Sequence, residues 1–563
     1  MKNIILILLS FFLFSCSDVY QPAVVSARKE ATQIGLKIMK SGGNAYDAMI
    51  ATHLALAVVH PTAGNIGGGG FFVYRHKDGS SGSLDFREMA PEKAFKDMYL
   101  DENGDVIPDM STLGGAAVGV PGSISAIYKI HSKFGSLPIQ DLFEPAINLA
   151  KNGFVVTQKQ SNSLTGKLED FIKVNGEESL YSKRYYEGDT IKNIKFAETL
   201  SKISKFGPEI FYGGEIGEMI VNSVNRAGGI MTLNDLENYK SIWRDPVKFK
   251  YKNLDIISMS LPSSGGILIG QMLKVIEDYD IKSFGHNSVK VIQLLVEAQR
   301  RAYADRSHFM GDPDYMNLPV YELMDKEYVV DRMKNFSWNK ATSSSDVKHG
   351  NFILNESDET THYSIINKHG NSVSVTTTLN NSYGSKVFVE EGGFFLNNEM
   401  DDFSSKPGHP NFYGLIGSEA NSIQPGKRML SSMTPSIILK NNKHTKGEKL
   451  ISYITMIDPD EDDILTASIA NNSPNSDKFS IRNGSLYFNN TTTQVNVPYS
   501  VILKATDWEG LAYEERFEII ENEDGDTMIE EVATSETSGG GGYSQVLDSD
   551  GDGFTDADEI LMG

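Results

Sequence analysis

The most constraining feature of this chain is a change of texture at Thr360. Residues 337–359 are rich in Ser, Asn, Asp and Lys, which predicts an exposed linker. Two β-prone runs follow at once, 361–366 and 372–379, separated by Asn367-Lys368-His369-Gly370-Asn371, a turn composition. The pattern predicts a hairpin, with Thr360 at the mouth of its first strand and a flexible segment just before it. That placement suits one chemistry. A threonine hydroxyl is a poor nucleophile unless a base removes its proton, and a threonine that begins a chain carries its own base in its α-amine. The bond between Glu359 and Thr360 must first be cut. The same hydroxyl can do this by attacking the Glu359 carbonyl, after which water opens the ester. Thr-Thr alone is a weak signal, because Thr-Thr-Thr recurs at 376–378 and 491–493 and an ordinary strand threonine is the alternative.

Upstream, residues 20–335 read as mixed α/β. Helical spacing covers 27–39, Ser41-Gly42-Gly43-Asn44 is a turn, and a helix of small residues runs over 45–59 to His60-Pro61. The glycine run 67–70 leads into Phe71-Phe72-Val73-Tyr74, a buried strand. A phosphate-cradling loop would follow a strand and open a helix, so close backbone packing around a pocket is the better account of this run.

Several runs, in order along 22–440, resemble the γ-glutamyltransferases, the glutathione hydrolases. They are Gly42-Gly43-Asn44-Ala45-Tyr46-Asp47-Ala48, the stretch 60–72, Leu84-Asp85-Phe86-Arg87-Glu88-Met89-Ala90-Pro91, Pro262-Ser263-Ser264-Gly265-Gly266, Tyr303-Ala304-Asp305-Arg306 and Gly311-Asp312-Pro313. Then come Thr360-Thr361-His362-Tyr363-Ser364, Leu396-Asn397-Asn398-Glu399-Met400-Asp401-Asp402-Phe403 and Lys427-Arg428-Met429-Leu430-Ser431-Ser432-Met433. The resemblance implies an αββα sandwich of the N-terminal nucleophile hydrolase type, in a precursor that cleaves itself into large and small subunits between Glu359 and Thr360. Thr360 would attack γ-glutamyl amides such as glutathione and pass the γ-glutamyl group to water, an amino acid or a peptide, with no cofactor. Thr378 would tune the new amine. Arg87 would hold the donor carboxylate through a charged fork, aided by Ser431 and Ser432. Asn380, Glu399 and Asp402 would hold its ammonium, and Tyr413, in the stretch 407–417, would cover the donor. His362 is expected to be structural.

The resemblance stops after Ile438. The family's small subunit continues to a Gly-Ser-Pro-Gly-Gly-Ser run whose glycine amides form the oxyanion hole, and no such run follows here, which leaves a truncated small-subunit region at 360–440. Residues 450–522 instead resemble a cadherin-like all-β sandwich, through Asp458-Pro459-Asp460, Phe479-Ser480-Ile481, Asn483-Gly484-Ser485-Leu486 and Ala505-Thr506-Asp507-Trp508-Glu509-Gly510, with Asp458, Asp460 and Asp507 as candidate calcium ligands. A generic β-sandwich is the alternative. An acidic, then Gly-rich linker follows at 523–547. The tail 548–563 carries Asp548, Asp550, Asp552 and Asp556, Gly553 and Glu559 at the spacing of a calcium loop, with Phe554 offering its carbonyl. It resembles an EF-hand or thrombospondin type 3 loop, four residues from the end.

Composition narrows the partners. Lys plus Arg number 52 against 74 Asp plus Glu, a formal charge of −22, the wrong sign for binding nucleic acid. The single cysteine, Cys16, excludes an internal disulfide. It follows Lys2 and an apolar run over 4–14, the layout of a signal peptide at 1–15. Leu13-Phe14-Ser15-Cys16 resembles a bacterial lipobox, which implies an exported lipoprotein anchored in a membrane through Cys16, in the periplasm or at the cell surface. A plain secretory signal is the other account. The functional alternative from a different class is a calcium-binding adhesive lipoprotein, or a fused reading frame, that retains an incomplete hydrolase; it would not cut itself, whereas an enzyme with large (16–359) and small subunits would.

Overall fold

The computed structural model describes residues 20–316, 320–343, 346–347, 360–415 and 417–440, residue 473, and the later strands given below. The chain forms two units, Met1–Asn441 and Asn442–Gly563.

In the first unit, strand β1 (Ala23–Val25) leads to helices α1 (Lys29–Lys40) and α2 (Ala45–Val59). Helix α1 starts two residues later than its periodicity suggests, because Arg28 is still extended. The turn before α2 ends in a capping box. Asn44 Oδ1 accepts from the backbone N–H of Tyr46 (2.7 Å) and Asp47 (3.0 Å), and Asp47 accepts from the Asn44 N–H at 2.9 Å. All of α2 is buried, which suits a helix of small residues apolar on every side.

The hairpin exists as β7 (Thr360–Ile366) and β8 (Ser372–Thr378), after β2 (Gly69–Arg75), β3 (Ser81–Asp85), β4 (Ile242–Arg244), β5 (Val247–Tyr251) and β6 (Leu254–Ser258). Its turn is built by Asn367, whose side-chain oxygen accepts from the N–H of His369 and Asn371, and by Gly370 at φ +79°. The second strand stops at Thr378, one residue short of expectation, because Asn380 turns left-handed at φ +73°. Asparagine tolerates that conformation better than most residues.

Two antiparallel sheets result, in the orders β1-β7-β8-β2-β3-β4 and β9-β6-β5, where β9 is Ser436–Lys440. Strand alternation divides the core. Phe72, Tyr74, Leu84, Tyr363, Ile365, Val373 and Val375 pack under α2, α3 (Ser123–Phe134) and α4 (Ile139–Asn152). Phe71 and Val73 point the other way and meet Ile257, Met259 and Ile437 between the sheets. Val247, Phe249 and Ile256 cover α5 (Gly265–Ile276) and α6 (Val289–Phe309). The layers are helix, sheet, sheet, helix, the expected αββα sandwich. Both faces of β2 are covered, and its Phe71-Phe72-Val73-Tyr74 run is continuously apolar rather than alternating.

The glycine run before β2 is a close-packing device. A Cβ on Gly68 would collide with the Thr378 carbonyl, and one on Gly69 would lie 2.7 Å from Glu88 Oε2. Larger residues there would push apart the strands that carry Thr378 and the segment that carries Arg87.

Apart from Ser473, the described residues of the second unit are all antiparallel β. They form a sheet of β10 (Lys449–Tyr453), β12 (Phe479–Arg482) and β13 (Ser485–Phe488), and another of β11 (Thr466–Ile469), β14 (Tyr499–Thr506), β15 (Ala512–Glu521) and β16 (Thr527–Glu531). The candidate calcium ligands Asp458, Asp460, Asp507, Asp548, Asp550, Asp552, Phe554, Asp556 and Glu559 lie outside the described residues, as do Cys16 and Glu359. Among the described residues no helix is long and apolar enough to cross a membrane.

Candidate active site

The site is assembled on the end of the hairpin. Register places Thr360 directly opposite Thr378, and Thr378 opposite Gly69. Thr378 is buried, and its hydroxyl accepts from the Asn380 N–H at 2.7 Å, which leaves the hydroxyl proton free to point elsewhere. Asn380 Nδ2 donates to the Asn398 carbonyl at 3.0 Å. Asn398 in turn accepts from the Asn381 N–H through its side chain at 2.9 Å. Asn398 immediately precedes the short 3-10 turn Glu399–Asp402. The hairpin end is thereby tied to the acidic run.

Arg87 lies just past the end of β3, fully enclosed at 1% exposure. Its Nη1 meets Glu399 Oε2 at 2.5 Å, its Nη2 pairs with Asp402, and its Nε donates to the Met429 carbonyl at 3.4 Å. Glu88 Oε2 stands 3.7 Å from Nη1. Burial works against the charge of Arg87, but Glu399, Asp402 and Glu88 outweigh it and make the guanidinium harder to deprotonate. Burial likewise pushes the Glu399 and Asp402 carboxyls up, with Arg87 opposing in both and Arg306 helping to hold Asp402 down. The residues expected at the two ends of a zwitterionic donor are therefore in one cluster, and Arg87 is engaged by the very acids expected to bind the ammonium. A ligand carboxylate must exchange with them.

The remaining expected residues sit at different depths. Ser431 is buried, its hydroxyl accepts from the Met433 N–H, and its carbonyl accepts from both the N–H and the hydroxyl of Ser264 at 2.8 Å. Ser432 is exposed, and its carbonyl accepts from the Thr434 hydroxyl. The Tyr413 hydroxyl donates to Asn381 Oδ1, which draws the 411–415 loop over the hairpin end. Asp401 anchors the same loop by accepting from the Phe412 N–H at 3.1 Å and the Ser111 hydroxyl at 2.7 Å. Both ring nitrogens of His362 contact hydroxyls on the sheet, Thr376 at 2.9 Å and Ser364 at 3.1 Å. His53, under the sheet, contacts the Tyr363 hydroxyl and the Asn65 carbonyl; burial holds it down to about 4, so it is neutral near pH 7.

Four buried residues that frame the site were not singled out from sequence. Asn397 accepts from the N–H groups of Gly119 and Glu399 and donates to the carbonyls of Gly67 and Gly119. Arg306 donates to the Ser264 hydroxyl at 3.0 Å. Glu88 adjoins Arg87. Asn65 has the densest connections: Nδ2 reaches the Ala63 and Thr378 carbonyls and the Thr377 hydroxyl, and Oδ1 accepts from the Gly68 N–H and the Ser123 hydroxyl. Glu88 and Asn397 lie within two residues of Arg87 and Glu399, whereas Asn65 and Arg306 lie in runs that carry no other expected site residue, and nothing in spacing alone marks any of the four. Asn65→Ala strands several of these buried groups at once, so it is expected to lower stability by about 3 kcal/mol. The urea unfolding midpoint measures this; a shift of less than about 1 kcal/mol would show that the network relaxes around the loss.

An αββα sandwich with a threonine opening a central strand, opposite Thr378 and tied to a buried arginine-carboxylate cluster, defines an N-terminal nucleophile hydrolase. Residues 31–447 match the family model described as Gamma-glutamyltranspeptidase, and the chain belongs to that family. It is 41% identical over 444 residues to the glutathione hydrolase proenzyme of Escherichia coli (strain K12), covering 76% of this chain and 75% of that protein. It is 43% identical over 424 residues to the protein of the same name from Pseudomonas sp. (strain A14), covering 75% and 74%. The crystal structure of Helicobacter pylori gamma-glutamyltranspeptidase superposes with a TM-score of 0.57 at 40% identity, over 60% of this chain and 97% of that one. Catalysis in this family needs no cofactor.

Proposed function

We propose that this chain is a glutathione hydrolase that cuts itself before Thr360 and then uses the freed Thr360 as nucleophile on γ-glutamyl amides. The α-amine of Thr360 takes the hydroxyl proton, the hydroxyl oxygen adds to the γ-carbonyl, and the amine of the leaving group departs with that proton. Water or an amino acid then takes the γ-glutamyl group from the ester. In this scheme Thr378 positions the amine, Arg87 and the Ser431–Ser432 pair receive the α-carboxylate, Asn380, Glu399 and Asp402 receive the ammonium, and Tyr413 closes over the donor. The observation that carries the proposal is the continuous connection from Thr360 through Thr378 and Asn380 to Asn398 and the Glu399–Arg87–Asp402 cluster. Purified protein should run as two fragments, the smaller beginning with Thr360, and should release the chromophore from a γ-glutamyl anilide. A single uncut band with no release would overturn the proposal.

The Leu13-Phe14-Ser15-Cys16 run extends the proposal to a lipid-anchored enzyme at a bacterial membrane. Cells expressing the chain in medium with an alkyne fatty acid should give a labelled protein, and Cys16→Ala should lose the label. Equal labelling of both would exclude Cys16 as the attachment point.

A further inference from the structure

Arg87 is surrounded by more acid than it can neutralise. Nη1 lies between Glu399 Oε2 at 2.5 Å and Glu88 Oε2 at 3.7 Å, and Nη2 holds Asp402. The Glu88 and Glu399 side chains are 0% exposed, and that of Asp402 is 14% exposed. The charged and titratable groups facing Glu88 are Arg87 beside it, Asp85 at the end of β3, Glu399 and Asp402 on the 3-10 turn, and the Tyr239 hydroxyl. Asp85 is matched by its own partners, Arg244 at 2.8 Å and Arg428 at 3.4 Å. Arg306 acts on Asp402. With all three acids ionised, three negative charges would face two positive ones in a space open to water only at Asp402, an arrangement buried carboxylates avoid by taking up a proton.

Geometry selects which acid holds it. Glu399 and Asp402 touch the guanidinium. The carboxylate oxygens of both Glu88 and Glu399 lack a hydrogen-bond partner among the described residues, but Glu399 Oε2 is 2.5 Å from Nη1, whereas Glu88 Oε2, at 3.7 Å, is beyond hydrogen-bond reach. Burial pushes the Glu88 carboxyl up to about 8, with Arg87 opposing and Asp402 and Asp85 adding to the rise. Burial raises Glu399 well above the ordinary carboxylate range too, so the two titrate as a pair that holds one proton between them. A donor ammonium arriving beside Glu399 and Asp402 favours their charged forms and leaves the proton on Glu88.

We propose that Glu88 completes the donor pocket as a neutral carboxylic acid, whose proton frees Arg87 to exchange Glu399 and Asp402 for the α-carboxylate of a γ-glutamyl donor. The inference rests on the γ-glutamyl function proposed above. Ionised, Glu88 would be an additional anion at Nη1 competing with the incoming carboxylate. Protonated, it does not repel that group and can donate a hydrogen bond to it. The sign follows: the bound state favours the proton, so donor binding takes up a proton once Glu88 has ionised, and affinity falls tenfold per pH unit beyond that point.

The test is the donor KM of the full chain for a γ-glutamyl anilide at about pH 7 and about pH 9, in wild type and in Glu88→Gln. The donor's own amine titrates identically in both proteins and cancels from the comparison. The ratio of KM at high pH to KM at low pH is expected to be about 10-fold larger in wild type than in Glu88→Gln, whatever the absolute values. Equal ratios overturn the role of Glu88 and leave the enzyme function standing. A second measurement needs no variant: calorimetry of L-glutamate binding to wild type near pH 8.5, in buffers of different ionisation enthalpy, should show uptake of up to about one proton. Zero uptake or release overturns the inference. If wild type neither binds L-glutamate nor turns over the anilide at any pH, the γ-glutamyl function itself fails, and the inference with it.

Discussion

Alanine in place of Thr360 is expected to leave a single uncut polypeptide and to lower turnover of a γ-glutamyl anilide by at least about 10⁴-fold. Two losses coincide in this residue. Without the hydroxyl, nothing attacks the Glu359 carbonyl, so the α-amine that should act as base stays locked in a peptide bond. Even an amine supplied by other means would have no nucleophile to activate. Thr360→Ser separates the roles, because it keeps a hydroxyl and lacks only the methyl group; it should still cut itself and retain measurable turnover. Gel mobility, the N-terminal sequence of the smaller fragment and anilide release measure both steps on one preparation. A Thr360→Ala protein that is still cut before residue 360, or that keeps wild-type turnover, would remove Thr360 from the chemistry. The wild-type rate is itself informative. The chain has no Gly-Ser-Pro-Gly-Gly-Ser run after Ile438, and each oxyanion donor lost from such a site lowers kcat by about 10²–10³-fold. Turnover well below that of a family member carrying the run is therefore expected.

The sequence shows the local part of this architecture well. Helix α2 was readable because apolar residues occupy every side of it between a cap and His60-Pro61, and its observed bounds, Ala45–Val59, are those of the pattern. The hairpin was readable because Asn367 and Gly370 carry the chemistry of its turn. Non-local pairing was not readable. Strand β9 joins β6 across some 180 residues of intervening chain, and no local pattern in either run names its partner. Among the described residues β9 also forms an open edge of its sheet, and Ile438 on it is 59% exposed. Departure from the family pattern thus coincides with an unfinished edge in the fold.

The site was legible as a set of residues but not as a state. Motif order brought Arg87, Glu399 and Asp402 to attention as recognition groups for opposite ends of one ligand, and the fold does bring them together. What a linear sequence could not show is that they satisfy one another. A fully buried guanidinium has to find acceptors, and the two nearest carboxylates supply them. The same blindness hid Glu88, whose interest comes wholly from its burial and from its distance to the Arg87 guanidinium, too long for a hydrogen bond.

That mutual satisfaction determines what Arg87 variants will do. Among the described residues Arg87 is the cation paired with Glu88, Glu399 and Asp402, so Arg87→Ala strands buried charge, which costs about 3–5 kcal/mol. Its loss of activity would mix misfolding with lost recognition. Arg87→Lys keeps the charge and replaces the planar fork with a single ammonium, which cannot hold Glu399, Asp402 and the Met429 carbonyl in their present geometry. It is expected to fold and to raise the donor KM by about 10²-fold, the equivalent of losing one charged bidentate contact. The donor carboxylate is remote from the bond that breaks, so its contact is made equally in the ground and transition states, and kcat should stay within about 3-fold. Asp402→Asn, which neutralises the partner on Nη2, should also weaken donor binding. The double variant should lose less than the sum, because each substitution removes part of the same network. Steady-state kinetics on the four proteins decide it. Strict additivity, or a KM unchanged in Arg87→Lys, would mean that the donor carboxylate is held elsewhere and that the Arg87 cluster serves the fold alone.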